Sequence, residues 1–158
     1  MRSTLLMIGA VLLLVGPAAA QTRGEGSVTF GAGGWSNGFG SGSVFQLGGG
    51  GEAVINRRVG VGGEVMLSGG GGDGWIETSF KADYRFAREQ RATPFVSGGY
   101  TVIGAVDESS GYSGVNFGAG LHYPLGREAI KLEAREVVLS NGSRNVQYFT
   151  VRVSLTFR

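Results

Sequence analysis

From Gln21 onward the chain alternates, one apolar side chain and then one polar side chain or glycine, and it never shows the i, i+3, i+4, i+7 stripe of an amphipathic helix. Gly, Asn, Ser and Asp clusters interrupt the pattern at strand-like spacing. We read eight strands from it, over about 25–34, 43–55, 59–68, 75–86, 93–103, 112–124, 130–138 and 146–157. The fourth is the clearest. Ile76, Thr78, Phe80, Ala82, Tyr84 and Phe86 point one way, and Glu77, Ser79, Lys81, Asp83 and Arg85 the other. A chain patterned this way throughout must close into a barrel or stack two sheets, because every strand has one face to hide.

Which face is hidden decides the class. A soluble sandwich or lipocalin turns its apolar face inward, whereas a membrane barrel turns it to lipid and keeps the polar face inside. Three features favour the inverted arrangement. The polar face is rich in glycine (Gly31, Gly33, Gly48, Gly50, Gly60, Gly62, Gly118, Gly120), which suits a narrow interior. Its charges nearly balance, with Glu25, Glu52, Glu64, Glu77, Asp83 and Glu133 against Lys81, Arg85, Lys131, Arg135 and Arg152. The connections also predict tight basic turns after strands two, four and six, and looser Gly, Ser and Asn loops (34–42, 68–74, 104–111, 139–145) at the other end. Tyr84, Phe86, Phe95, Tyr123 and Phe157 are expected to form a girdle at the terminal end. Trp35, Trp75, Tyr112 and Tyr148 have inward parity but lie at strand ends; an outer girdle is preferred for them over a lid on the lumen.

The N-terminus reads as an address. Arg2, the apolar run from Leu5 to Val15, the Gly16-Pro17 break and Ala18-Ala19-Ala20 form a secretory signal with cleavage before Gln21. The expected organisation is therefore a signal peptide over 1–20 and a barrel domain over 21–158. The formal charge of +2 gives no nucleic-acid surface, and without cysteine there is no disulfide, thiolate metal site or thiol nucleophile.

With that pattern in place, the chain resembles the small eight-stranded outer-membrane β-barrels, the OmpA/OmpX-like superfamily. The resemblance covers about 25–158. It is carried by Thr93-Pro94-Phe95-Val96-Ser97-Gly98-Gly99-Tyr100, Val115-Asn116-Phe117-Gly118-Ala119-Gly120-Leu121, Lys131-Leu132-Glu133-Ala134-Arg135 and the last strand. It implies an all-β, eight-stranded, antiparallel, up-and-down transmembrane barrel exported to a Gram-negative-type outer membrane. It also implies that inward charges form an ionic network through the lumen, for which Glu52, Glu64, Glu77, Lys81, Asp83, Arg85, Lys131, Glu133, Arg135 and Arg152 are the candidates. Val153, Leu155 and Phe157 resemble the C-terminal signal taken by the barrel-assembly machinery, here followed by one extra residue, Arg158. Partners implied are outer-membrane lipid and lipopolysaccharide, with that machinery during biogenesis, around a monomer.

Catalysis finds little support. His122 is the single histidine and sits near a turn, without the company of a metal site or triad. Asp73 and Asp107-Glu108 read as solvated loop acids, and Asn141-Gly142-Ser143 as a chance glycosylation sequon. One enzyme class uses this architecture, the lipid A deacylases and acyltransferases; the deacylase motif resembles His-x-Ser-Asn on the seventh strand. Here Val138-Leu139-Ser140-Asn141 puts Val138 where that histidine belongs, and a serine without a base is not activated. No catalytic residue, cofactor or metal is therefore expected. The leading reading is a structural or interaction barrel without catalysis. The alternatives are a narrow gated channel through the same barrel and a soluble lipocalin-like binder of an apolar ligand.

Overall fold

The computed structural model describes residues 22–37, 40–86, 92–105, 111–142 and 144–158, without the side chains of Asp73, Ala105 and Arg144; residues 1–20, expected to be a signal peptide, lie outside the described residues. Eight strands form one antiparallel sheet closed on itself: β1 (Thr22–Asn37), β2 (Gly40–Ile55), β3 (Val59–Gly70), β4 (Asp73–Arg85), β5 (Thr93–Ala105), β6 (Tyr112–Leu125), β7 (Glu128–Asn141) and β8 (Arg144–Phe157). Each strand pairs with its sequence neighbours, and β1 closes against β8. We call the end carrying the chain termini the lower end and the opposite end the upper.

The register fixes the shape. Following paired residues once around the sheet runs Thr22, Ile55, Val59, Tyr84, Val96, Ala119, Ala134, Val151 and back to β1 at Ala32, ten residues above the start. A stagger of ten over eight strands tilts them steeply and leaves an interior only wide enough for side chains. Every residue on that spiral has outward parity. The outward apolar side chains stand free of the sheet, Phe30 55% and Phe80 65% exposed, so the apolar face is the outer one. The outward apolar run on β7 from Ile130 to Val138, and the one from Ile76 on β4 to Phe86 just past its end, correspond to a band of roughly 20–25 Å for strands tilted by about 40°.

Inward glycines are what allow the wall to coil so tightly. A Cβ at Gly48 would collide with the Val65 carbonyl oxygen, and one at Gly120 with that of Leu132; outward Gly26 has nothing within 4 Å. The β2–β3 connection is three residues, 56–58, and opens on a turn whose central Asn56 (φ 51°) and Arg57 (φ 58°) both adopt left-handed backbone, with Arg58 N–H donating to the Ile55 carbonyl at 3.1 Å.

The looser upper loops expected from sequence are corrected. Pairing continues to Asn37↔Gly40, Gly70↔Asp73 and Asn141↔Arg144, so three of the four upper connections span two residues each, 38–39, 71–72 and 142–143. The longest lower connection, 86–92, is as long as any upper one. Above the apolar band the outward positions are Gly, Ser and Asn (Gly34, Ser36, Ser140, Asn145), so alternation is no longer readable from the outer face while the backbone ladder continues.

Candidate functional site in the barrel lumen

Parity along each strand delivers the polar face to the interior, where charged side chains are almost wholly buried; Arg85 and Arg135 are 0% exposed. All ten charged residues picked from sequence project into this space and pair there, in three tiers. In the lower tier Arg85 Nη2 donates to Glu52 Oε1 at 2.6 Å and to Glu25 Oε2 at 3.1 Å, while its Nε reaches Asp83 Oδ2 at 3.4 Å. Lys131 Nζ bridges Glu52 Oε2 (2.9 Å) and Asp83 Oδ1 (3.1 Å). It also lies 5.0 Å above the Phe95 ring.

Glu64 is the hub of the middle tier. It accepts from Lys81 at 2.9 Å, from Arg152 Nη1 at 2.6 Å and from Arg135 Nη1. Arg135 then forks onto both oxygens of Glu133, at 3.1 and 2.9 Å, and Ser97 Oγ donates to Glu133 at 2.5 Å. Three strands thus converge on one carboxylate whose desolvation is offset by three cations.

The upper tier turns from ion pairs to hydrogen bonds. Arg152 Nε donates to Gln46 Oε1 at 3.0 Å, and its Nη2 is 3.6 Å from Glu77 Oε1. Gln46 Nε2 donates to Glu77 Oε2 at 2.7 Å and to Ser68 Oγ at 3.2 Å. Asn116 donates to Thr101 Oγ1 (2.8 Å) and Ser79 Oγ to Glu77 (3.2 Å); Thr101 and Ser79 are 2.8 Å apart, so Thr101 donates to Ser79 and the order of the chain is set.

Above Glu77 the lumen turns apolar. Ile103, Val137, Leu139 and Tyr148 form a buried cluster, with Trp35, Trp75, Tyr112 and Val146 packed against it. The outer girdle expected of Trp35, Trp75, Tyr112 and Tyr148 is therefore corrected. Their inward parity holds because β1, β4 and β8 extend past Trp35, Trp75 and Tyr148 and because Tyr112 is itself paired, with Ile103, at the start of β6; together they stopper the upper mouth. Neither Trp35 nor Trp75 has a hydrogen-bond partner for its indole N–H. Phe95 is a second correction: at 2% exposed it lies inside rather than in the lower girdle, its ring filling the space that glycine leaves at 120, where a Cβ would come within 2.9 Å of Cε1. Tyr84, Phe86, Tyr123 and Phe157 do face outward.

Sequence reasoning missed several members. Arg23 and Arg158 both pair with Glu25, at 2.5 and 3.2 Å, and Tyr148 donates to Glu77 Oε2 at 2.6 Å. Their inward parity was the available signal, but it is least readable at strand ends. A cavity of about 20 Å³ lies between Glu52 and Lys131 below and Glu64 and Lys81 above, room for a single water. An apolar ligand chamber of the lipocalin kind is absent among the described residues.

His122 is buried near the lower end, paired in register with Thr93 and Lys131, and neither ring nitrogen has a hydrogen-bond partner. Ser140 faces outward near the upper end of β7, on the same face as Val138. Serine and histidine thus sit on opposite faces and at opposite ends of the barrel. Among the described residues no group of three or more His, Cys, Asp and Glu side chains is arranged to hold a metal. The Asp107-Glu108 pair and Ser143 of the sequon lie outside the described residues.

No family model matches the chain, and no curated protein matches it in sequence. Solved structures do match its fold. Neisserial surface protein A (NspA) superposes with a TM-score of 0.71 at 12% identity, covering 87% of this chain and 98% of that one. The outer membrane enzyme PagL gives 0.61 at 17% identity, with 81% and 97% covered. The N-terminal β-barrel domain of Pseudomonas aeruginosa OprF gives 0.55 at 20% identity, with 85% and 100% covered. The chain has the eight-stranded transmembrane fold of small outer-membrane β-barrels.

Proposed function

We propose that this protein is a closed outer-membrane barrel with a structural or interaction role and no catalytic activity, its lumen filled by the ionic column. The observation that carries the reading is continuity: paired charges run from Arg85 to Glu77, and an apolar stopper begins where they end. Water-filled passage would need both to move. The ten residues Glu52, Glu64, Glu77, Lys81, Asp83, Arg85, Lys131, Glu133, Arg135 and Arg152 are five acids and five bases, and Glu25 below them is matched by Arg23 and Arg158, so charge is closely balanced along the column, which favours a permanent filling. Export by the 1–20 segment, insertion as a monomer with the termini periplasmic, recognition of Val153, Leu155 and Phe157 by the assembly machinery, and contact with lipid and lipopolysaccharide complete the proposal. The barrel fold itself names no activity.

Recording from planar bilayers tests it. The wild-type barrel, shown folded by a shift in gel migration between unboiled and boiled samples, is expected to give no unitary conductance. One observation favours the runner-up, a narrow gated conduit: the cavity between the Lys131 and Lys81 tiers places two flexible ammonium groups beside three carboxylates, where pairs could exchange. Steady conductance from wild type, abolished or enlarged in Arg135→Ala, would establish the conduit instead.

A further inference from the structure

We propose that the lipid face carries a binding site for one amphiphile with an ammonium headgroup, built on Glu136 and Gln147. Glu136 has outward parity in the middle of β7. Its lipid-facing neighbours are Ala134 below and Val138 above on its own strand, and Phe117 and Phe149 directly across on β6 and β8. Among the described residues it is the one charged side chain so enclosed by apolar outward residues. The ion column does not use it, since it projects from the opposite face of the sheet. A carboxylate set into the apolar band is costly to leave unpaired, and an ionisable side chain at that depth points to a partner.

The partner's chemistry follows from the atoms present. Gln147 Nε2 donates to Glu136 Oε1 from one row higher. That contact orients the amide so that its own oxygen, like the second carboxylate oxygen, remains an acceptor. The site therefore offers acceptors and one negative charge. It repels a bare phosphate, and it fits an ammonium group, which brings three donors and the opposite charge. Above it the outward surface is polar, with Ser36, Ser140 and Asn145. Below it the surface is hollow: Ala134 and its cross-strand partner Ala119 are exposed small residues between the ridges of Phe117, Leu121, Leu132 and Val151. A head contact beside a low apolar surface at Ala119 and Ala134 is the footprint of a lipid rather than of a soluble cation. A second copy of this chain is a poorer fit, because no described basic side chain faces lipid at this level.

Native mass spectrometry of the barrel released from vesicles of equal phosphatidylethanolamine and phosphatidylglycerol, with matched chains, tests the proposal. Wild type is expected to retain one phosphatidylethanolamine in preference to phosphatidylglycerol. Glu136→Gln, nearly isosteric, is expected to lower that retention by on the order of tenfold, and Gln147→Leu to lower it less. Thr78→Val, on the far side of the lipid face, is expected to leave it unchanged. The heat-dependent gel shift confirms folding of each variant, and should Glu136→Gln fail it, Gln147→Leu carries the test. Equal retention of the two lipids by wild type, undiminished phosphatidylethanolamine on a folded Glu136→Gln or Gln147→Leu barrel, or a lipid-free oligomer that Glu136→Gln dissociates into monomers would each overturn it.

Discussion

Tyr148 donates its hydroxyl to Glu77 Oε2 at 2.6 Å, and this contact fastens the apolar stopper of the upper mouth to the ionic column beneath it. Glu77 also accepts from Gln46 and Ser79, so the tyrosine binds a carboxylate already held in place. Removing the hydroxyl alone is then a clean cut. Tyr148→Phe keeps the ring in the stopper and is expected to cost about 1.5–3 kcal/mol, the range for a hydrogen bond to a charged group. Urea unfolding in lipid vesicles, followed by tryptophan fluorescence, measures it; an unchanged midpoint would mean that stopper and column are independent.

Glu64 holds three cations from three other strands, Lys81 on β4, Arg135 on β7 and Arg152 on β8. Glu64→Gln leaves those charges facing a neutral amide inside the lumen. We expect a loss of roughly 3–5 kcal/mol, read as a lower unfolding midpoint and a lower temperature for the gel shift. Glu128→Gln, at the exposed lower turn, serves as the matched control and should shift neither by more than a small fraction of that.

Glycine tolerance should divide by face. Gly48→Ala forces a methyl into the Val65 carbonyl oxygen, whereas Gly26→Ala adds one where nothing lies within 4 Å. The inward change is expected to cost about 1–3 kcal/mol or to prevent folding, and the outward one to stay within roughly 0.5 kcal/mol. The fraction of refolded barrel that shifts on an unboiled gel separates them, and equal behaviour would sink the assignment of faces.

Orientation toward lipid has its own test. Val153 is outward and 47% exposed, near the middle of the apolar band. Val153→Arg should cost about 2–4 kcal/mol, the price of an arginine near the midplane. Val59, also outward but at the lower end of β3, should accept the same substitution with a smaller loss, because the arginine head can reach water there. Measured unfolding free energies in the same lipid decide the order.

The β2–β3 turn offers a gain. Arg57 holds φ 58° without being glycine, at a cost of about 1–2 kcal/mol for an L-residue. Arg57→Gly relieves that strain and loosens the unfolded chain, so a net stabilisation of about 0.5–1 kcal/mol is expected in equilibrium unfolding.

Much of this architecture was legible because period two carries facing and not merely strand identity. Glu64, Arg135 and Arg152 could be assigned to the lumen from parity alone, since their strands alternate cleanly on both sides of them. Their partners could not be named, because pairing depends on the stagger between strands, and that is set by hairpin geometry rather than by alternation. Parity was discounted at Trp35, Trp75, Tyr112 and Tyr148 because their strands were thought to end there. The ladder runs on past Trp35, Trp75 and Tyr148 through residues whose side chains carry no pattern, and it still includes Tyr112 at the head of β6, so parity holds where the sequence gives no sign of it. Phe95 failed differently: an aromatic near a strand end was counted as interfacial before the parity of Thr93, Phe95 and Ser97 was compared. No reading of one strand could show that Tyr148 meets Glu77, since β8 and β4 lie across the barrel from each other.

The closure of β1 on β8 sets the order in which the molecule can be made. Gly26 lies beside Phe157, so the first and last strands join only after nearly the whole chain has been synthesised and threaded. Until then β1 presents a bare edge, and its Glu25 lacks Arg158, its Thr29 lacks Ser154 at 2.7 Å. Such a high-contact-order seam is the slow step of folding and the point of greatest aggregation risk. It also means that a chain shortened by its last hairpin would lose a wall, not a lid, and with it the only geometry in which the charges of the remaining six strands face one another.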